Sequence, residues 1–155
     1  MGTGAAGSSC PQHAVTAARA DSRFEVPTIT LNEVCSWLGV CPDFVKIDVE
    51  GAESMVLDGS RDFVSGKQTR FLVEMHSNPT LRMSANAERV LKWCSEMGYK
   101  AWYLAEAVEL TSAEQIAHRG RCHLLLQPVD WEYPEWLRGI RQGAEPSEGL
   151  THRCM

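Results

Sequence analysis

Residues 43–49 are predicted to form a strand, because apolar and charged residues alternate from Val45 to Glu50, and a helical pattern begins directly after them. The apolar positions are β-branched or aromatic, as is typical of a strand, and they are Phe44, Val45, Ile47 and Val49. The charged positions fall on one face of that strand and are Lys46, Asp48 and Glu50. Because an unpaired charge inside a sheet is costly, we expect these charges near the carboxyl end of the strand. Open α/β sheets bind their ligands at that end.

The rest of the pattern predicts alternating helices and strands. Helices are predicted at 31–38, 51–58 and 84–97, where a capping box begins the first and Ser84 caps the third. Glycines end all three helices. Further strands are predicted at 70–76, 99–104 and 121–127, with a short helix or turn marked by Thr111 and Glu114 and a brief helix at 133–137. The order β-α-β-α-β predicts an α/β fold with parallel strands.

The two ends of the chain differ in composition from its middle. Residues 1–23 are rich in Gly, Ala and Ser, and residues 142–155 show no periodicity, so both are predicted to be flexible tails. Residues 2–7 match G-x-G-x-x-G, but a phosphate-binding loop needs a preceding strand and only one residue precedes this motif. The sequence therefore predicts one domain over 24–141.

Composition narrows the class of protein without naming a function. The chain has 155 residues and a net charge of -5, so nothing in its charge favours a nucleic-acid partner. It has neither an apolar run of membrane-spanning length nor a secretory signal pattern at its first residues, and we expect a cytoplasmic protein. Its six cysteines form no C-x-x-C pair, which indicates reduced thiols, mostly in the core.

Residues 44–53, followed by Val-Leu-Asp-Gly-Ser at 56–60, resemble the signature of the FkbM-type methyltransferases. Residues 26–31 and 71–76 resemble the segments on either side of that signature, and the resemblance extends over roughly residues 24–130. It implies S-adenosylmethionine as cofactor and O-methylation of a small-molecule or sugar hydroxyl. It also implies a Rossmann-like sheet whose last two strands, 99–104 and 121–127, form an antiparallel hairpin.

Four side chains are candidates for the chemistry. Asp48 and Glu50 follow one parallel strand, and Glu74 and His76 end the next, so we expect all four at one edge of the sheet. They could hold a substrate hydroxyl, deprotonate it, or bind a hard divalent ion. We predict Asp48, Glu50, Glu74 and His76 as catalytic residues, Asp48 and Gly51 as cofactor contacts, and no metal site.

Each of these residues also has a structural interpretation. Asp48 and Glu50 could complement the dipole of the following helix, and His76 could be a solvated strand end. Lys46 is interpreted as a structural partner of a carboxylate, and Glu53 as a first-turn residue that complements the dipole.

The resemblance also sets an expectation about what is missing. Members of the family hold the cofactor with a glycine-rich loop early in the domain, and nothing like it precedes residue 43. We therefore expect the chain to correspond to the C-terminal part of the domain, with strand 43–49 at an open edge prone to self-association or to pairing with a partner chain. The alternatives are a non-catalytic partner subunit or an inactive fragment. A hydrolase built on Asp48, Glu74 and His76 lacks a nucleophile at an elbow.

Overall fold

The computed structural model describes residues 27–65 and 69–139. The α-helices within these residues are α1 (Leu31–Leu38), α2 (Glu53–Asp58), α3 (Arg61–Val64), α4 (Met83–Met97) and α5 (Ala113–Arg119). The strands are β1 (Phe44–Ile47), β2 (Arg70–Met75), β3 (Tyr99–Tyr103), β4 (Val108–Glu109) and β5 (Cys122–Pro128). A short 3₁₀ helix follows at Glu135–Leu137.

The described strands form one sheet in the order β1-β2-β5-β3-β4. β1 and β2 are parallel, with Ile47 opposite Val73. β5 lies between β2 and β3 and is antiparallel to both, with Leu126 opposite Phe71 on one side and Ala101 on the other. The α/β fold is therefore confirmed, and so is the antiparallel pairing predicted for the last two long strands. The two-residue strand β4, paired with β3, was not predicted.

The main core joins one face of the sheet to all the described α-helices. At its centre the rings of Phe71, Trp93 and Tyr99 lie 5.0–6.0 Å apart between centroids. The Tyr99 hydroxyl donates to the carbonyl of Thr69 at 2.9 Å, so its polar group is satisfied although the residue is buried. This core fixes β2, β3 and α4 relative to one another. Of the candidate residues, Glu74 lies in β2 and His76 follows its last residue.

Successive residues of a strand face opposite sides of a sheet, and β5 shows this clearly. Leu124 and Leu126 belong to the main core, whereas Leu125 packs on the other face with Tyr133 and Leu137. Glu74 is paired across the sheet with His123, which neighbours Leu124 in β5. The second face therefore carries polar side chains at the end of β2 where the main-core face is apolar.

Helix boundaries agree with the sequence patterns where a local signal sets them. Thr30 and Glu33 form the predicted capping box of α1, and Gly39 ends the helix with φ 64°. The cap predicted for α4 at Ser84 is wrong, because the extended residue Arg82 precedes a helix that begins at Met83. The predicted tails, 1–23 and 142–155, lie outside the described residues.

Two further findings concern composition. The four cysteines that the structure describes are all free thiols: Cys35, Cys94 and Cys122 are buried, and Cys41 is exposed. No helix within residues 27–65 and 69–139 has the length and apolar character needed to cross a membrane.

Candidate functional site

The four candidate residues meet where β1 and β2 end. Because the two strands are parallel and in register, the residues that follow Ile47 and those at the end of β2 lie at the same edge. Asp48, Glu74 and His76 each place one potential ligand atom within 4.8 Å of the other two. Glu50 Oε2 lies 3.6 Å from His76 Nε2. The structure thus brings together all four side chains that the sequence predicted, although it does not test their catalytic roles.

A strained turn connects β1 to α2 and carries Glu50. The peptide N–H of Ala52 donates to the carbonyl of Val49 at 3.3 Å, which closes a four-residue turn. Its two central residues, Glu50 and Gly51, have positive φ of 52° and 98°. A glutamate in this conformation is uncommon and strained, and such residues concentrate at functional sites. The turn directs the Glu50 side chain back toward His76, so the strained backbone conformation places Glu50 in the cluster.

His76 is the buried centre of the site, with 6% of its surface exposed. Its Nδ1 lies 3.0 Å from the carbonyl oxygen of Glu74 and 3.2 Å from Oε1 of Glu53. Both neighbours are acceptors, so Nδ1 carries a proton, and in the neutral ring the lone pair is on Nε2. Nε2 is buried and has no hydrogen-bond partner among the described residues. It faces Glu50 and Glu74, whose nearest oxygens are 3.6 Å and 3.5 Å away.

Glu53 belongs to the site, and the sequence interpretation missed this. It lies in the first turn of α2, as predicted, although the helix begins at Glu53 and not at residue 51, and its side chain is fully buried. Its carboxylate accepts hydrogen bonds from the Gly51 N–H at 2.8 Å and from Asn86 Nδ2 at 2.6 Å, and it contacts His76. Asn86 also donates to the carbonyl of His76 at 3.1 Å. One buried carboxylate therefore ties the strained turn, the imidazole and α4 together.

The sequence contained a signal for both buried polar residues. Glu53 lies four positions before the buried Leu57, and Asn86 lies four positions before the buried Val90. Residues four apart share a helix face, so both polar side chains stand in the row that enters the core.

Glu74 is contacted by two basic side chains that lie more than 40 positions later in the sequence. Arg121 donates to Glu74 Oε1 through Nε at 2.5 Å and also through Nη2. His123 Nε2 lies 3.3 Å from Glu74 Oε2. The bond to the carboxylate raises the pKa of Arg121 above its usual value. Glu74 is thereby fixed in its orientation although it is nearly buried.

Asp48 is paired with Lys46 at 2.8 Å, which confirms the structural role predicted for the lysine. This hydrogen bond lowers the pKa of Asp48 and raises the pKa of Lys46, so each partner favours the charged form of the other. Because both side chains remain substantially exposed, the pair contributes little to stability. It holds Asp48 as an ionised carboxylate at the edge of the cluster.

Gly51 was predicted to contact the cofactor, but the structure offers another explanation for a glycine at this position. A Cβ added at Gly51 would lie 2.4 Å from Nδ2 of Asn78, so the space beside Gly51 is filled by protein. Asn78 Nδ2 in turn donates to the Gly51 carbonyl at 3.3 Å. The glycine is required by the turn and by Asn78, and its contact with a cofactor stays a prediction.

An open groove of about 680 Å³ lies beside this turn. Its walls are largely apolar and include Ile29, Met55 and Val56, with Arg89 as a cation in the lining. Gly51 borders the groove, but none of Asp48, Glu50, Glu74 and His76 lines it. The polar cluster and the apolar groove are therefore separate places that adjoin the same turn.

Comparison with known proteins identifies the family. The model of the methyltransferase FkbM domain matches residues 3–101, which include Asp48, Glu50, Glu74 and His76. The match extends further toward the first residue than the predicted range of 24–130 and ends before Arg121 and His123. No curated protein and no solved structure matches the chain. On the strength of the family match, the chain belongs to the FkbM methyltransferase domain family.

Proposed function

We propose that this chain is a cytoplasmic methyltransferase that uses S-adenosylmethionine to methylate a hydroxyl group of a small molecule or sugar. The observation that carries the proposal is the buried imidazole of His76, whose Nε2 faces carboxylates at the edge of the sheet. Family membership supports methyl transfer in general, and this cluster supports a hydroxyl as the acceptor. A hydroxyl must lose its proton during transfer, and the cluster offers groups that can take it.

Glu50 and His76 are the two groups suited to receive the proton. The Glu50 carboxylate is partly exposed and can reach a substrate, while Nε2 of His76 has a lone pair in the neutral ring. Glu74, held by Arg121, adds fixed negative charge beside them. Asp48 can accept a hydrogen bond from the hydroxyl and orient it.

The described residues fit only part of a methyl-donor site. Asp48 presents an ionised carboxylate at a strand end, which suits the hydroxyl or ammonium groups of S-adenosylmethionine. When bound, that cofactor supplies an activated methyl group on a sulfonium. Within residues 27–65 and 69–139 no glycine-rich loop follows a strand. The cofactor contacts that we propose among these residues are therefore limited to Asp48 and Gly51.

The groove beside Gly51 suggests where the body of the acceptor would rest. Apolar walls with Arg89 in the lining suit an acceptor with an apolar skeleton and an anionic or polar substituent. Because the groove and the cluster border the same turn, one molecule could occupy the groove and present a hydroxyl at the cluster.

Isothermal titration with S-adenosylhomocysteine tests cofactor binding. We expect the full chain to bind with a dissociation constant on the order of micromolar, and Asp48→Ala to weaken binding. Asp130→Ala, which removes an exposed carboxylate outside the cluster, is the matched control. Absence of binding at saturating concentrations would contradict the proposal for this chain alone.

Transfer of a tritiated methyl group to a panel of sugars and hydroxylated aglycones tests the chemistry. Glu50→Gln should lower the rate by about 10²–10⁴-fold, the range for removal of a general base, without weakening S-adenosylhomocysteine binding. Glu88→Gln changes an exposed glutamate on α4 in the same way and should leave the rate unchanged. Equal rates for the two variants would exclude Glu50 as the base.

The open edge of β1 favours a second candidate, a non-catalytic partner subunit. Within the described residues β1 pairs only with β2, and Phe44 on that strand is 46% exposed. An unpaired strand edge is a template for another chain. Binding of S-adenosylhomocysteine only after addition of a chain with a glycine-rich loop would favour this candidate, and no binding in either case would favour an inactive fragment. A monomer in sedimentation at tens of micromolar would count against pairing between copies.

A further inference from the structure

We propose that Asp48, Glu74 and His76 bind a divalent metal ion of the Mg²⁺ or Mn²⁺ class. The three side chains offer two carboxylates and one imidazole, and their ligand atoms lie within 4.8 Å of one another. Ligands bound to one ion at 2.0–2.2 Å lie about 3–4 Å apart, so small side-chain rotations close the site. Carboxylate oxygens with one imidazole suit hard and borderline divalent ions rather than soft ones.

The orientation of His76 is the observation that distinguishes this cluster from an ordinary group of acidic residues. The imidazole is more than nine-tenths buried, and its Nε2 has no hydrogen-bond partner among the described residues. Nδ1 is held by Glu53 and by the Glu74 carbonyl. A carboxylate that holds one imidazole nitrogen while the other points to an ion is the usual arrangement of a metal-ligating histidine. Glu53 therefore acts as a positioning residue, because it fixes the ring through Nδ1.

The charge of the cluster also calls for a cation. Four carboxylates lie within it or directly behind it, those of Asp48, Glu50, Glu53 and Glu74. Two cationic side chains, Lys46 and Arg121, offset two of these charges. The remaining formal charge of -2 equals what one divalent ion neutralises, and like charges held this close repel one another without it.

Lys46 and Arg121 compete with the ion but do not close the site. They are 51% and 69% exposed at the side chain, so each can swing into solvent once the ion replaces it as the partner of its carboxylate. Each carboxylate has about four lone-pair sites, and the bonds to Lys46, Arg121 and His123 leave some of them free on Asp48 and Glu74. This competition predicts moderate rather than tight binding.

The role of the ion rests on the proposed function, whereas its binding does not. An ion at this position would hold the oxygen of the acceptor hydroxyl and lower its pKa by Lewis-acid polarisation. His76 Nε2 would then be a ligand, so the proton would pass to Glu50, which stands beside the ligand set. With an ion bound, Glu50 and not His76 would therefore be the proton acceptor.

Electron paramagnetic resonance of Mn²⁺ tests the site without any methyl donor. The full chain, stripped with a chelator, should remove the free Mn²⁺ signal with a stoichiometry of one ion per chain, and Mg²⁺ should compete. Asp48→Asn and His76→Gln should weaken binding by at least about tenfold, and Glu53→Gln should weaken it by about 10–100-fold through loss of positioning. Asp130→Asn and His118→Gln make the same chemical changes on exposed residues outside the cluster and should bind as the unmodified chain does.

Thermal unfolding keeps the test decisive if a buried variant fails to fold. Asp48 is partly exposed, so Asp48→Asn should stay folded, and Mn²⁺ should raise the Tm of the unmodified chain but not of this variant. Mn²⁺ that stays free, or that binds equally to Asp48→Asn and His76→Gln, would overturn the proposal. Mn²⁺ binding without S-adenosylhomocysteine binding would keep the metal site and reject the methyltransferase role of this chain.

Discussion

Replacement of Gly51 by alanine measures how tightly the turn at the site is built. Gly51 has φ 98°, and an added Cβ would lie 2.4 Å from Asn78 Nδ2 and 3.1 Å from its Cγ. The positive φ costs a residue with a Cβ roughly 1–2 kcal/mol. Forcing an extra methyl group into filled space costs about 1–3 kcal/mol more. We therefore expect Gly51→Ala to lower the free energy of unfolding by about 2–5 kcal/mol.

Gly98 supplies a matched control for the backbone part of this cost. It ends α4 with φ 71°, and a Cβ placed there would meet no atom within 4 Å. Gly98→Ala should therefore cost only the roughly 1–2 kcal/mol of the backbone conformation. The difference between the two variants isolates the contact with Asn78.

Urea denaturation followed by tryptophan fluorescence and circular dichroism gives both values, provided that the two probes report one transition. A double-mutant cycle sharpens the test, because Asn78→Ala removes Nδ2 and Cγ and leaves only a Cβ at 3.2 Å. In that background Gly51→Ala should cost close to what Gly98→Ala costs, with a coupling energy of about 1 kcal/mol or more. Equal losses for Gly51→Ala and Gly98→Ala in the unmodified background would refute the reasoning.

Burial and helix capping give three further predictions. Trp93→Ala should lower the free energy of unfolding by about 3–5 kcal/mol, because the ring is buried against Phe71, and an unchanged denaturation midpoint would contradict this. Burial raises the pKa of the Cys94 thiol to about 12, so at pH 8 it should react with iodoacetamide far more slowly than the exposed Cys41, as peptide mass spectrometry can show; similar rates would argue against its burial. Thr30→Ala should cost about 1 kcal/mol in the same denaturation assay through loss of the capping box, and no loss would mean that this helix end is held otherwise.

The parts of the fold that the sequence predicted are those with local causes. Gly39 and Gly98 end their helices with positive φ, a conformation that glycine adopts without steric cost. The alternation over 45–50 predicted the position of β1, because side-chain direction in a strand depends only on position. Residues 108–109 gave no such signal, since a two-residue strand has no periodicity and exists only through its pairing with β3. The short helix or turn marked by Thr111 and Glu114 is the helix α5, and its cap is Ser112, in a run where either side chain can cap.

In the site too, only the features with local causes could be predicted from the sequence. The proximity of Asp48, Glu50, Glu74 and His76 could be predicted because parallel strands end at one edge of a sheet. The partners that orient these residues could not be predicted, since Asn86 lies 33 positions from Glu53 and Arg121 lies 47 positions from Glu74. Contacts of such separation depend on how α4 and β5 pack, which no local pattern encodes.

The buried carboxylate of Glu53 explains how the strained turn and the unpartnered imidazole can persist together. A buried carboxylate is tolerated only when hydrogen bonds replace its water, and Gly51, Asn86 and His76 supply them. Each partner is thereby held in a conformation that it would not adopt alone: the turn with Glu50 at φ 52°, and the ring with Nε2 directed at the carboxylates. Strain of this kind survives only where the surrounding structure over-determines it. The stability of the edge and the chemistry of the cluster therefore depend on the same side chain, so a variant at Glu53 should change metal binding and unfolding together, whereas one at Asp48 should change metal binding with little effect on unfolding.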